Sequence, residues 1–212
     1  MAERSPGPSG TSGHRPKHAL STGRHVRATG LFLVLMVVVA GFVYPFVVTE
    51  IAQVIDAPAA NGSLLHYPNG TVAGSSLVAQ NTDAPYLFWS RPSLSDYNLT
   101  LGAQTAPGPS DPNLTALLNE TIAYMDQYGI GTVNATVPFW WAAPSASSID
   151  PDLVPQAVLV QVPRVAAANN LSIGVVTALV NKHIVNPPFP DIGVPYVNVL
   201  SLDLDLIAMT GR

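Results

Sequence analysis

The chain has 212 residues, is 48% hydrophobic and only 10% charged, and contains 16 Gly, 20 Pro and no cysteine. That length holds one ordinary domain and an appendage; the apolar balance excludes a wholly disordered chain, and the missing thiols exclude disulfide staples, thiolate zinc sites and a cysteine nucleophile. A net charge of −4 speaks against a nucleic-acid partner but conceals an asymmetry, five cations against Glu3 in residues 1–30 and four cations against twelve acids from Glu50 onward.

Residues 1–27, rich in Ser, Gly, Pro and Arg, read as a disordered basic tail. Ala28 to Thr49 then runs 22 residues without a charge, a span of about 33 Å as a helix and enough to cross a hydrocarbon core. Residues 28–49 are therefore predicted to form one transmembrane helix, whose apolar run opens at Leu31. Tyr44 and Phe46 suit the outer interface, and Pro45 is expected near the helix end, where few backbone bonds are lost. Arg24 and Arg27 flank the N-terminal side, which predicts a cytoplasmic tail and an extracytoplasmic domain over residues 50–212. The alternative is a cleaved signal peptide, with Ala57-Pro58-Ala59 as a cleavage site. The apolar run exceeds signal length and the basic region before it is long.

Within the outer domain, Ser63–Tyr67 and Thr71–Ser75 flank Pro68-Asn69-Gly70, a hairpin signature because Asn-Gly accepts positive φ. Asp111 is a natural N-cap with Pro112 at the first helical position, and Leu114, Leu117, Leu118, Ile122 and Met125 recur at helical spacing until Gly129. A second helical stretch is predicted from about Pro155 to Ala168, kinked or split by Pro163. Ser172 caps a third, with Val176, Leu179 and His183 on one face. Leu200, Leu202, Leu204 and Leu206 alternate with Ser201, Asp203 and Asp205, a period of two that predicts a half-buried strand. The fold class is α+β: a single N-terminal transmembrane helix followed by one extracytoplasmic mixed α/β domain.

Seven Asn-X-Ser/Thr sequons, at Asn61, Asn69, Asn98, Asn113, Asn119, Asn134 and Asn170, all lie beyond the apolar segment. Roughly two would arise by chance, so a glycosylated surface is one reading and plain turn chemistry the other. Catalytic patterns are missing. No Gly-X-Ser-X-Gly elbow accompanies His66 or His183, no phosphate-binding Gly-rich loop occurs, and the five histidines are scattered. His183 reads as a structural histidine. Asp203 and Asp205, on one strand face, could share a cation but are more simply solvated carboxylates. Arg91 and Arg164 stand out among few outer cations, and Arg91, in an aromatic and proline setting, is placed to pair with a carboxylate or stack on Trp89 or Tyr97, either as an internal ion pair holding the loop or as a partner contact. Phe139, Trp140 and Trp141 form an apolar cluster that reads as core or as a subunit contact.

In order along the chain stand Tyr44-Pro45-Phe46-Val47-Val48-Thr49, Ala60-Asn61-Gly62-Ser63-Leu64, Gly74-Ser75-Ser76-Leu77 ending at Gln80, Phe88-Trp89-Ser90-Arg91-Pro92-Ser93 leading to Tyr97-Asn98, and Gly108-Pro109-Ser110-Asp111-Pro112. Ser147-Ser148-Ile149-Asp150-Pro151, Gln161-Val162-Pro163-Arg164-Val165-Ala166 and Val197-Asn198-Val199-Leu200 complete the series. With these, residues 31–206 resemble the C subunit of the Kdp high-affinity potassium-transporting P-type ATPase, the KdpC family. The chain departs from the family at Trp140–Ala146, at Asp152, where a His is common, and over Asn119–Phe139. The resemblance implies a non-catalytic accessory role in a complex with the potassium-channel-like KdpA, the ATP-hydrolysing KdpB and the small KdpF. It implies no cofactor held by this chain, ATP and K+ entering at the level of the complex, and a role as a catalytic chaperone raising the ATP affinity of KdpB. Leu31, Gly41, Tyr44 and Pro45 would belong to the membrane anchor. Arg91, Pro92, Ser93, Tyr97, Gly108, Pro109, Ser110, Asp150, Gln161, Arg164 and Asn198 would form subunit-interface or structural motifs. From the residues alone, a membrane-anchored hydrolase using His183 and a serine, or a glycosylated surface binding module, are the alternatives.

Overall fold

The computed structural model describes residues 22–101, 107–128, 130, 139–189 and 192–212, and the chain divides into two compact units, Met1–Ile55 and Asp56–Arg212. Residues 1–21 of the predicted tail lie outside the described residues, as do Gly129 and Asn134.

The first unit is a helix in three segments: α1 (Thr22–Val38), a five-residue π turn (Val39–Val43) and α2 (Tyr44–Ile55). Its 33 residues from Gly23 to Ile55 are long and apolar enough to cross a membrane. The helix outruns the 28–49 prediction at both ends, and Thr22–Arg27, expected in the tail, are helical. Pro45 departs from expectation too, since it sits ten residues before the helix end rather than near it. The π turn explains how it is accommodated. Pro45 has no N–H and its ring would crowd the carbonyl of Gly41 in a regular helix. One residue earlier the Tyr44 N–H bonds back five residues to Val39, a widened turn that relieves this crowding.

The second unit opens with α3 (Ala57–Ala60), capped by the Asp56 carboxylate on the Ala59 N–H at 3.0 Å. The predicted hairpin follows as β1 (Leu64–His66) and β2 (Val72–Ser75), antiparallel, with a bulge between Leu65 and His66. Gly70 takes the required left-handed φ of 83°. Gly74 lies under two side chains: a Cβ there would lie 2.7 Å from Gln80 Nε2 and 3.2 Å from Leu200, so any larger residue would have to push the end of Gln80 aside.

The predicted Asp111-capped helix is α4 (Pro112–Gln127), with Asp111 accepting the Asn113 N–H at 2.9 Å. A single turn, α5 (Phe139–Ala142), carries Trp141 fully into the core, while Phe139 stays exposed. A two-residue strand, β3 (Asp152–Leu153), leads into α6 (Pro155–Leu159) and α7 (Val162–Ala168), the stretch split ahead of Pro163 as predicted. In α8 (Ile173–Lys182) Ser172 accepts the Val175 N–H, and Val176 and Leu179 are buried. Then β4 (Val197–Asn198) pairs antiparallel with β3, Asp152 opposite Asn198, and runs straight into α9 (Val199–Thr210).

This last helix corrects the strand predicted for Leu200–Leu206. Leu, Asp, Ala and Met carry no β-branch, and Asn198 caps the segment through the Ser201 N–H at 3.1 Å. Gly211, at φ 70°, stops it in the left-handed conformation. The most deeply buried positions, Val199, Leu202, Asp203 and Leu206, follow helical spacing, so the Leu-X-Leu alternation is a coincidence of composition. The core is built from α6, α7, α8 and α9 around Val158, Val165, Val176, Val180, Leu202 and Leu206, with Trp141 packed in from α5 and Phe88 from an irregular segment. Mixed helix and strand holds as the class, with only two two-stranded sheets among the described residues.

Candidate functional site

The most specific motif, Phe88–Tyr97, forms neither helix nor strand, yet Phe88, Trp89 and Ser90 are buried. A buried irregular backbone must find partners for its N–H and C=O groups elsewhere. Distant side chains supply them. The Phe88 N–H donates to Asp203 Oδ1 of α9 at 2.8 Å. Gln161, in the junction between α6 and α7, grips both sides of Trp89: its Oε1 accepts the Trp89 N–H at 2.8 Å and its Nε2 donates to the Trp89 carbonyl at 3.0 Å. Trp141 Nε1 donates to the Ser90 carbonyl at 3.2 Å, and the Tyr97 hydroxyl donates to the Arg91 carbonyl at 2.8 Å. In effect Gln161 acts as a one-residue strand partner.

Both singled-out arginines serve the same loop. Arg164 stacks on the Trp89 ring, its guanidinium carbon 4.3 Å from the centroid, and donates to Gln161 Oε1 at 2.8 Å and the Pro85 carbonyl at 2.6 Å. Burial pushes its pKa down to about 10, so it stays charged at neutral pH. Arg91 donates to the Ala143 and Pro144 carbonyls and pairs with Asp150 at 3.3 Å. Of the contacts weighed for Arg91 the structure shows the internal ion pair, while the stack on Trp89 belongs to Arg164. Asp203, whose segment reads as a strand and so hides its place in the core, is fully buried. Burial raises its pKa well above the carboxylate range, against the opposing effects of the Phe88 N–H and Arg164.

Ser93 folds the end of the motif. Its Oγ accepts the Tyr97 N–H at 2.8 Å and the Ser95 N–H at 3.3 Å. Asp96 and Tyr97 consequently take left-handed φ of 51° and 57°, strained for residues with a Cβ. Burial, with Asp83 and Asp96 nearby, pushes the Tyr97 hydroxyl up to about 12, so it remains a donor. Pro92, Ser93 and Tyr97 border a cleft of about 740 Å³, also lined by Trp89, Tyr124 and the carboxylates of Asp83, Asp96 and Glu120. Trp89 sits against Tyr124 and Tyr128, ring centroids 5.4 and 4.8 Å away.

Asn198 ties the two ends of the unit. Its Nδ2 donates to the Ser76 carbonyl at 2.8 Å and to Asp152 at 2.9 Å, while its Oδ1 caps α9. Asp150 is joined to this cluster through the Asp152 N–H. Gly108, Pro109 and Ser110 stand apart in a turn closed by the Asp111 N–H on the Gly108 carbonyl at 2.9 Å, where they launch α4. Leu31, Gly41, Tyr44 and Pro45 belong to the first unit.

The shared strand face expected of Asp203 and Asp205, solvated or holding a cation, is overturned by α9. Two residues apart on a helix point to opposite sides, so Asp203 enters the core while Asp205 faces outward. Asp205 accepts from Lys182 at 3.2 Å and lies 3.0 Å from His183 Nε2. These bonds hold its carboxyl below the usual range, and His183 has the structural partner expected of it. Among the described residues no serine hydrogen-bonds to His183 and no group of three His, Asp or Glu converges as a metal site. The arrangement is a fastening of the loop to α6, α7 and α9.

The family model described as "KdpC: K+-transporting ATPase, c chain" matches residues 26–208, taking in the apolar helix and nearly all of the folded unit. The potassium-transporting ATPase KdpC subunit of Geobacter sulfurreducens is 35% identical, over 83% of this chain and 93% of its own. That of Pseudomonas putida is 38% identical over 84% and 94%, and that of Methanosphaerula palustris 38% over 82% and 90%. The matched span takes in the residues that fasten the loop, those that cap α9 and the helix around Pro45, and the chain belongs to the KdpC family of potassium-transporting ATPase subunits.

Proposed function

We propose that this chain is a non-catalytic accessory component of an ATP-driven potassium uptake complex, anchored by α1–α2 with its folded unit outside the cytoplasm. The family match across both the helix and the folded unit carries the reading. Its partners are the channel-like KdpA, the ATP-hydrolysing KdpB and the small KdpF. Orientation rests on charge: the tail holds the basic cluster, and basic flanks stay in the cytoplasm. The helix packs on partner helices through Ala40 and Gly41, where small side chains permit close approach.

The outer unit, with twelve acids against four cations from Glu50 onward, raises the local cation concentration at the potassium entrance. Asp83, Asp96 and Glu120 gather on one cleft of that unit. A chaperone effect on the ATP affinity of KdpB is then indirect, transmitted by assembly through the helix, because the folded mass lies across the membrane from the nucleotide. Two experiments test this. Protease added to sealed cells trims the folded unit and spares the basic tail if the topology is right. In the reconstituted complex, replacing Asp83, Asp96 and Glu120 with their amides raises the apparent potassium KM with assembly intact; an unchanged KM rejects the entrance role.

A further inference from the structure

Six of the seven sequon asparagines fall among the described residues, and all six are exposed or nearly so at the surface of the second unit. Their side chains are not equivalent. Asn69 Oδ1 accepts both the backbone N–H of Thr71 at 3.0 Å and its hydroxyl at 2.7 Å. Asn98 Oδ1 accepts both groups of Thr100 in the same way, at 2.9 and 2.7 Å. In this turn the carboxamide oxygen is doubly bonded, which draws electron density from the amide nitrogen and makes its N–H more acidic. Turn chemistry therefore engages only the oxygen. Neither Nδ2 donates to any described residue, and both asparagines sit in exposed runs, 66–72 at the hairpin tip and 98–101 in the loop.

The remaining sites lack this combination. Asn61 Nδ2 already donates to the Ala57 carbonyl at 2.8 Å. Asn113 and Asn119 lie within α4, whose backbone cannot bend the Thr two residues on back to the amide. Asn170 Oδ1 accepts nothing from Ser172, whose Oγ accepts the Val175 N–H instead. Resting on the outward orientation proposed above, we infer that Asn69 and Asn98 are N-glycosylation sites, with a lipid-phosphate-linked oligosaccharide as donor. The Nδ2 attacks the anomeric carbon, forming the C–N bond as the C–O bond to phosphate breaks. The lipid phosphate leaves with the electron pair, and the amide proton passes to a base of the transferase. Glycans there also require that the hairpin tip and the 98–101 loop stay clear of partner subunits in the assembled complex.

The test takes the intact complex from membranes of cells that make this chain and measures glycopeptides covering Asn69 and Asn98 by mass spectrometry. Asn69→Gln and Asn98→Gln should each remove one glycan step in mobility. Thr71→Ser should keep part of the occupancy, and Thr71→Ala should abolish it at Asn69. Protease protection of sealed cells is scored in parallel. Unmodified asparagines in a protease-accessible domain overturn the glycosylation inference and leave the topology standing. Unmodified asparagines in a protected domain overturn both. Glycans on Asn113 or Asn119 but not on Asn69 and Asn98 overturn the selection by turn geometry.

Discussion

The helices α8 and α9 and the loop Phe88–Tyr97 are buried in the same core, but their backbones are satisfied in opposite ways. Each helix closes its own hydrogen bonds within four residues and needs outside help only at the cap, from Ser172 or Asn198. The loop closes its own groups only at its Arg91–Tyr97 end, through Ser93 and the Tyr97 hydroxyl, and its buried Phe88–Ser90 end depends on side chains from elsewhere. Its partners come from Trp141, Gln161 and Asp203, which are 51, 72 and 115 residues away along the chain. A helix therefore tolerates loss of one contact by fraying a turn, whereas the loop has single side chains on which two or three groups depend.

Gln161→Ala is the sharpest way to break that contrast. It strands the Trp89 N–H and C=O in the core and removes an acceptor from Arg164. At roughly 1–3 kcal/mol for each stranded buried group, the loss should be about 3–5 kcal/mol. Denaturant unfolding of the full chain in detergent, followed by Trp fluorescence, measures it. A loss below about 1 kcal/mol would mean that water reaches Trp89 and that the loop is not held as described.

Arg164→Lys comes next, at about 2 kcal/mol. Lysine keeps the charge but loses the planar stack on Trp89 and the fork that spans Gln161 and Pro85. The same unfolding measurement checks it, and a lysine as stable as the arginine would show that charge alone holds the loop.

Asp203 reports on the pH dependence of the loop. Its native pKa is raised, so the folded state holds a proton that the unfolded chain releases in the ordinary carboxylate range. Stability from this group is full below that range and is lost as pH rises through the raised native value. Asp203→Asn keeps an oxygen for the Phe88 N–H and cannot ionise. Stability of the variant should fall less than that of the parent between acid and neutral pH. Parallel profiles for the two chains would show that Asp203 stays charged against Arg164.

These residues also mark what is legible in one dimension. The hairpin, the Asp111 and Ser172 caps and the break before Pro163 are local signals, decided within a few residues of one another, and each appears where local rules put it. The α9 helix reads as a strand because Leu alternating with Ser and Asp satisfies a period of two over the seven residues Leu200–Leu206. The decisive cap at Asn198 and stop at Gly211 lie just outside that window. Arg91 and Arg164 are conspicuous as rare cations, but nothing local connects Gln161 to Trp89 or Asp203 to Phe88. That pairing exists only in three dimensions, and along the chain it surfaces only as the resemblance of separate motifs to one family.

On the helical side of the comparison, Ser172→Ala removes the oxygen that accepts the Val175 N–H and should cost about 1 kcal/mol, the usual cost of losing an N-cap. An effect as large as that of Gln161→Ala would erase the distinction between self-satisfied and cross-linked backbone.

The smallest effect belongs to the surface of α8 and α9. Lys182 and Asp205 are 3.2 Å apart, but their side chains are 72% and 45% exposed. Water solvates both charges when they separate, and holding a long lysine in one rotamer costs entropy. Lys182→Gln should therefore change stability by less than about 0.5 kcal/mol, and salt should change that little further. Asp205 keeps His183 as a partner 3.0 Å away, so the contact between the helices survives the substitution. If Lys182→Gln proved as damaging as the loss of the Ser172 cap, the surface pair would be coupled to the core through α9. The ranking would then fail at the end where solvent screening makes it safest.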